Sequence, residues 1–517
     1  MKGMDISMSQ IIKNSSFKFL MVGVVVIVCL LNAHCKSYAV NVYEEWDQAT
    51  FDQKLSDPSG SLTLTQDVRV VGTVVLNCES AFTINAGNHI IMAYGASGDL
   101  TINNNLNING DGRVWDESLF RYLYGAVTTE NGGSVHINGS NITSTAIYGV
   151  AVSSYNGNMQ ISNGTITANN DSGFAVYADG GTVNVSGGTI SASQADGVAA
   201  CAQYGGKLNI TGGVIQGYSA GVSARGYSYV NISGGQITGS SYYGAGVYSY
   251  GNSNGMSVIN ITGGSITSTG KYATAVWANS DVDHSSTGSA IVLSGDVQVN
   301  VGAFASQKTA TGNGKIYDFR GITVIPSISS GSTTTATSTI AFTKTEIQNN
   351  SNNPLCPLSA SGAVIRYTTD GTTPTAYSTI YTVPILATAK LIYILEKDGF
   401  VSKPTTLNYL ITLSMDLTMD KPSLQMLSSG HIKASTQIAN SKGEKSNIKI
   451  IVSLYNSSTN TLNEIYVLNK TFEVNESLLL THEFMNKDSL SKCKVKVCIL
   501  DGFDTLKPIA VSQWNSI

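Results

Sequence analysis

Val183-Asn184-Val185-Ser186-Gly187-Gly188-Thr189-Ile190 returns as Leu208-Asn209-Ile210-Thr211-Gly212-Gly213-Val214-Ile215 and again as Val230-Asn231-Ile232-Ser233-Gly234-Gly235-Gln236-Ile237. The same opening recurs at Val135-His136-Ile137, Met159-Gln160-Ile161 and Ile259-Asn260-Ile261, with the third residues spaced by 24, 24, 25, 22 and 29. A period of this length is the signature of a repeat architecture. Within each unit apolar and polar residues alternate, so one side of a short strand is buried and the other is wet. A pair of glycines then turns the chain into a second strand, whose isoleucines form the column Ile142, Ile166, Ile190, Ile215, Ile237 and Ile266. One rung cannot bury its own apolar side, so the units must stack, each strand bonded to its copy about 4.8 Å away. The pattern predicts a parallel β-helix with isoleucines inside and an asparagine ladder (Asn184, Asn209, Asn231) outside. A propeller blade needs about 40 residues, too many for this period.

A third strand closes each rung: Val150-Ala151-Val152, Phe174-Ala175-Val176, Val198-Ala199-Ala200, Val222-Ser223-Ala224, Ala245-Gly246-Val247 and Thr274-Ala275-Val276. Alternation places the first and third residues of each triplet inside and the small middle one outside. Upstream, Trp46, Phe51 and Leu55 share a face of a helix over Glu44 to Leu55, which would cover the open N-terminal edge. Strands at 61–71, 72–76 and 100–108 read as the first rungs, and the solenoid runs to about Ile325.

Charged residues make up 12% of the chain, and the net charge of −4 over 517 residues gives no electrostatic footprint for nucleic acid. Lys2, Lys13 and Lys18 precede an apolar run from Phe19 to Leu31, followed by Ser37-Tyr38-Ala39. This is the plan of a signal peptide (1–39) with a mature start at Val40, the run being short for a membrane span. An uncleaved anchor is one alternative; a lipoprotein through Cys35 is another, disfavoured by His34 beside it. The expected setting is secreted or cell-surface, without a membrane span in the mature protein. Cys78, Cys201, Cys356, Cys493 and Cys498 are scattered and show no disulfide or zinc spacing. Cys493 and Cys498 lie an odd number apart on one strand, hence on opposite faces.

After the solenoid (40–326), residues 327–339 are rich in Ser, Thr and Gly, the composition of a flexible linker. Then comes Ile365-Arg366-Tyr367-Thr368-Thr369-Asp370-Gly371-Thr372-Thr373-Pro374-Thr375, with Ser378, Tyr381, Pro384 and Ile385 behind it. Asp370-Gly371 is a hairpin turn signal and Pro374 fixes the exit. Residues 340–412 resemble the small β-sandwich module at the C-terminus of chitobiase-type glycosidases, although Leu391-Ile392-Tyr393 stands where small residues are common. The resemblance implies company with glycans rather than catalysis. The remainder, 413–517, alternates in Lys449–Leu454 and Lys494–Leu500 as strands of a further sandwich do. The fold class is therefore all-β: a right-handed parallel β-helix followed by two small β-sandwiches. The overall plan resembles bacterial secreted β-helix proteins of carbohydrate-binding type.

Outward positions beside the third strand carry the candidate site. Ser153, Tyr177, Cys201, Arg225, Tyr248 and Trp277 read as one row, and Tyr155, Asp179, Gln203, Tyr227, Tyr250 and Asn279 as a second. Aromatic faces stack on sugar rings while polar neighbours bond the hydroxyls, so Tyr155, Tyr177, Arg225, Tyr227, Tyr248, Tyr250 and Trp277 are the candidate ligand-binding residues, on a stripe suited to a linear polysaccharide. The competing reading is that tyrosines simply favour strand surfaces. Glycoside hydrolysis needs two carboxylates about 5–10 Å apart. From residue 131 to 280 the charged residues are only Asp171, Asp179, Asp196, Lys207, Arg225 and Lys271, the first and third of them at turns. Asp281, Asp283 and His284 form the densest polar cluster, read first as a solvated loop and otherwise as an acid–base or metal site, calcium being the metal. Asp111, Arg113, Asp116, Glu117 and Arg121 around Trp115 read as a loop or cap. No catalytic motif or cofactor signature is present. The sequence thus favours a non-catalytic protein binding a polysaccharide or cell-surface glycan, with a polysaccharide lyase or hydrolase, or a structural adhesin, as alternatives.

Overall fold

The computed structural model describes residues 43–111, 125–251, 255–280, 288–302, 306–335, 338–348, 355–412, 417–440, 446–473, 475–485, 489–500, 508–511 and 515–516. The predicted signal segment and mature start at Val40 lie outside them. Among the described residues no helix is long and apolar enough to cross a membrane.

The main body is a parallel β-solenoid of about 10 turns. Three strands per turn build three faces. The first runs through 182–185, 207–210 and 229–232, and the second through 189–192, 214–217 and 236–239. The third is an 11-stranded sheet that includes 150–155, 174–179, 198–203, 220–225, 245–251 and 274–280. All three faces pair rung to rung in parallel register, as in Asn184↔Asn209, Ile190↔Ile215 and Ala200↔Val222. Ile190, Ile210 and Ile237 have no exposed surface, and the isoleucine column fills the interior. The asparagines stack as the repeat predicted: Asn209 Nδ2 donates to Asn184 Oδ1 at 2.8 Å, Asn231 to Asn209 at 3.0 Å and Asn260 to Asn231 at 3.2 Å.

The third face differs from its predicted alternation. Ala151, Ala175, Ala199 and Ala275, the middle residues expected outside, belong to the interior, whereas Val150, Phe174 and Val198 belong to a separate layer on the outside. The ladder skips the middle position, pairing Val150 with Phe174 and then Val152 with Val176. The chain is still rounding the corner there, and the middle residue meets the isoleucine column. At the equivalent glycines a Cβ would come within 2.6 Å of Ile237 and 2.7 Å of Ile266. The position is alanine on some rungs and glycine on others.

The N-terminal end is closed by a helix at Gln48–Leu55, capped by Asp47, whose carboxylate accepts from the Thr50 N–H at 2.9 Å. Trp46 is outside this helix, correcting the prediction: it ends the strand Tyr43–Trp46 and meets Phe51 edge-on at 5.0 Å. Gln48 completes the cap. Its side chain accepts from Val75 N at 2.6 Å and donates to Val75 O at 3.0 Å, taking the bonds that a preceding rung would have made.

The last first-face strand is Gly314–Asp318; the next, Ile322–Pro326, pairs antiparallel with Phe342–Glu346. Described parts of the predicted 327–339 linker are tied down in strands. Thr333–Thr335 pairs with Leu410–Thr412 and Thr339–Ile340 with Ile385–Leu386, because β-branched threonines suit a strand as readily as a tether. The middle unit centres on Lys390–Lys397, which pairs with Val364–Thr368 and Thr405–Asn408. Leu391, Ile392 and Tyr393 lie on this central strand and are buried, which accounts for their bulk. The unit packs on the end of the solenoid, where Tyr317 stacks on Phe400 at 4.6 Å and its hydroxyl donates to Asp398 at 3.0 Å. Beyond it, strands 432–440 and 477–484 face strands 446–456, 462–472 and 493–500 across a core that includes Ile432, Ile450, Phe472 and Phe484. Cys493 is buried in that core and Cys498 is only half-buried.

Candidate functional site

On the outside of the third face one row reads Tyr177↔Cys201↔Ser223↔Tyr248↔Trp277 and the next Asp179↔Gln203↔Arg225↔Tyr250↔Asn279. Arg225 therefore stands beside Gln203 and Tyr250, not beside Cys201 as the sequence alignment had it; Ser223 takes that place. The cause is a short corner. Residues 193–197 precede Val198 and 240–244 precede Ala245, but only Tyr218 and Ser219 precede Ala220. Tyr227 leaves the face altogether, lying beyond the strand at a φ of 23° with its side chain exposed. Tyr155 does face outward, paired with Glu130.

The central part of this face is sealed rather than open. Tyr177 is 2% exposed, and Ser153, Cys201 and Ser223 are equally covered, correcting the expectation of an aromatic stripe along the whole solenoid. Tyr177 packs on Phe174 with ring centres 5.1 Å apart, and the Arg225 guanidinium lies 5.7 Å from the Phe174 ring while its Nε donates to Ser223 at 3.1 Å. Large side chains thus lie across small ones. Burial pushes the Tyr177 phenol well above its usual range, and burial also raises the Cys201 thiol. Cys201 is therefore an inert packing residue, not a nucleophile.

Two rungs toward the C-terminal end are different. Tyr248 and Trp277 are half-exposed neighbours with ring centres 5.3 Å apart, and Tyr250 lies parallel to Tyr248 at 6.3 Å. A polar chain fixes their edges. Asn279 Nδ2 donates to the Tyr248 hydroxyl at 3.1 Å, Thr311 Oγ1 donates to Asn279 Oδ1 at 2.7 Å, and the Trp277 indole N–H donates to Thr311 Oγ1 at 3.0 Å. The rings are held by their edges and remain half-exposed. Such rigidity lowers the ordering cost of binding. Thr311 could not be placed from the sequence, because it belongs to a turn in the following rung, 34 residues from Trp277.

The corner leading into these strands holds a second aromatic group. Tyr242, Tyr243 and Tyr272 are 47%, 68% and 47% exposed; Tyr243 and Tyr272 stack at 6.1 Å, and Tyr242 meets them edge-on at 4.7 and 5.1 Å. The Lys271 ammonium sits 5.3 Å from the Tyr272 ring. The sequence signal was available, since Tyr243 and Tyr272 each precede a row residue by the same five positions, Tyr248 and Trp277.

One further carboxylate, Glu130, lies on this face just before the 131–280 span. Glu130 pairs with Tyr155, two rungs before Gln203's neighbour Asp179 is reached along the same row. Asp179 is buried, and both carboxylates are engaged by other groups. Asp281, Asp283 and His284 lie outside the described residues, as do Arg113, Trp115, Asp116, Glu117 and Arg121. Among the described residues no group of three or more His, Cys, Asp or Glu is placed to hold a metal.

In the middle unit the hairpin motif closes as its residues dictate: the Asp370 carboxylate accepts from the Thr372 hydroxyl at 2.6 Å and the Thr372 N–H at 2.9 Å, bonds that hold it below the usual carboxylate range. No curated protein matches the chain as a relative. Residues 354–406, which contain this hairpin and the central strand, match the chitobiase/β-hexosaminidase C-terminal domain family.

Proposed function

We propose that this is an extracellular, non-catalytic polysaccharide-binding protein whose solenoid presents Tyr248 and Trp277 as stacking platforms for sugar rings. The carrying observation is the locked, half-exposed aromatic pair on two rungs toward the C-terminal end, with its polar edges already bonded. Aromatic faces held in this way are suited to pyranose rings, whose C–H surfaces are apolar. The glycosidase-associated module directly behind the solenoid supports a carbohydrate-related role.

The test is a glycan array with residues 40–517, run in parallel with an assay for released or unsaturated sugars. Trp277→Ala and Tyr248→Ala should each weaken binding by about 1–2 kcal/mol, roughly 5- to 30-fold, with little salt dependence. Wild-type binding by both variants would remove the face from consideration. Sugar release by the wild type would replace the binding reading with an enzymatic one.

A further inference from the structure

We infer that the bound sugar chain crosses the solenoid along the strand direction, over the two rungs of Tyr248 and Trp277, and ends at the tyrosine corner. This rests on the reading of Tyr248 and Trp277 as stacking residues. Along the solenoid axis the aromatic surface stops abruptly: the next row positions are Ser223 and Cys201, both fully covered, and Tyr177 beyond them is sealed. Across the rungs it continues. Tyr243 and Tyr272 stand five residues before Tyr248 and Trp277, on the same two rungs, and each pair is made of neighbouring rings, 6.1 Å apart in one and 5.3 Å in the other. Between the two platforms the outward residues are the small Ala245 and Thr274, themselves covered. Five residues of extended chain span at most roughly 16 Å, the length of about three to four pyranose rings.

The site therefore takes a short stretch of a glycan, with one ring on each platform and the rings between bridging them. Two weak contacts joined by a rigid spacer reinforce each other only when the ligand is long enough to reach both. Affinity then rises steeply up to a threshold length and levels off, whereas a chain lying along the axis would gain with every added sugar.

Calorimetry with chito-, cello- and xylo-oligosaccharides of about two to eight units tests this, with wild type, Trp277→Ala, the double variant Tyr243→Ala/Tyr272→Ala, and Gln203→Ala as an axial control. The expected result is a plateau at about the tetrasaccharide, a loss of about tenfold for the corner variant on the tetrasaccharide, and a loss of less than about twofold on the disaccharide. Tyr243→Phe/Tyr272→Phe should retain wild-type binding, which separates lost ring faces from a disturbed corner. Affinity that climbs steadily to the octasaccharide, with an unaffected corner variant and a weakened Trp277→Ala, would overturn the crossing path and leave the stacking reading in place. Unchanged binding in Trp277→Ala, or no binding of any probe, would remove both.

Discussion

A methyl group added to Gly234 would run into the carbonyl of Thr211 in the rung below, while its neighbour Gly235 sits at a φ of 88°, where a side chain is strained. The paired glycines of the repeat thus answer two separate demands, close approach and backbone handedness. Gly234→Ala should lower solenoid stability by about 2 kcal/mol or more, read as a fall in the thermal midpoint, because the carbonyl it meets belongs to the packed turn of the neighbouring rung and cannot move alone. Gly72→Ala, with a φ of 72° and open space around it, should cost only the backbone strain, about 1 kcal/mol. Ladder and core residues were legible from the repeat because stacking in register places like upon like. The burial of Tyr177 was not, since its cover comes from Phe174 and from Arg225, two rungs away.

At the scale of the strand, the misplacement of Arg225 has a simple physical origin. Sliding Ala220–Arg225 by two positions keeps every inward residue inward, so period-two alternation cannot detect the slip; only a shift by one would reverse the faces. The shortened corner at Tyr218 and Ser219, visible in the spacing of 22 between Ile210 and Ile232, was the available clue. In the C-terminal unit, strands 462–472 and 477–484 meet through Tyr466 and His482, whose rings stack at 3.9 Å and 10°. Burial holds His482 below its ordinary value of 6.5, outweighing the opposite pull of Glu464 and Glu483. The unfolded chain then binds a proton more readily than the folded one, so this contribution is present above about pH 6.5 and is lost as pH falls through the lower folded value. The thermal midpoint of this unit should drop between about pH 7.5 and about pH 5, and His482→Gln should show a smaller drop over the same interval. An equal drop in both would assign the acid sensitivity to other groups.

Over the whole molecule, the solenoid has two closed ends, made by different means. The first rung is finished by the Gln48 side chain, the last by the middle unit. Beside the Tyr317–Phe400 stack, Lys403 N–H donates to Ser294 Oγ at 2.9 Å and Lys315 lies 3.6 Å from Asp398. Close by, the buried Asp318 carboxylate receives Lys308 Nζ and Arg320 Nη2, each at 2.6 Å, and Lys308 also donates to Cys356 O at 2.6 Å, a residue of the middle unit's side of the junction. Removing one member of such a group strands a buried charge. Solenoid and middle unit should therefore unfold in a single calorimetric transition, which Asp398→Ala/Phe400→Ala should split in two; two transitions already present in the wild type would show that the contact does not couple them. The repeat announced the solenoid and the hairpin motif announced the module, but no local pattern encodes a junction whose partners lie 81 residues apart, as Tyr317 and Asp398 do.

The register of the rungs carries a mechanical consequence. Each of the regular turns stores 24 or 25 residues of chain in a step of rung height, so a turn that peels away releases roughly 80 Å of contour for about 4.8 Å of folded length. Tension between the two ends would draw the coil out like thread from a spool, one turn at a time. The tyrosine corner and the Tyr248–Trp277 pair share the same two adjacent turns, and both would come apart only when the thread reached that depth.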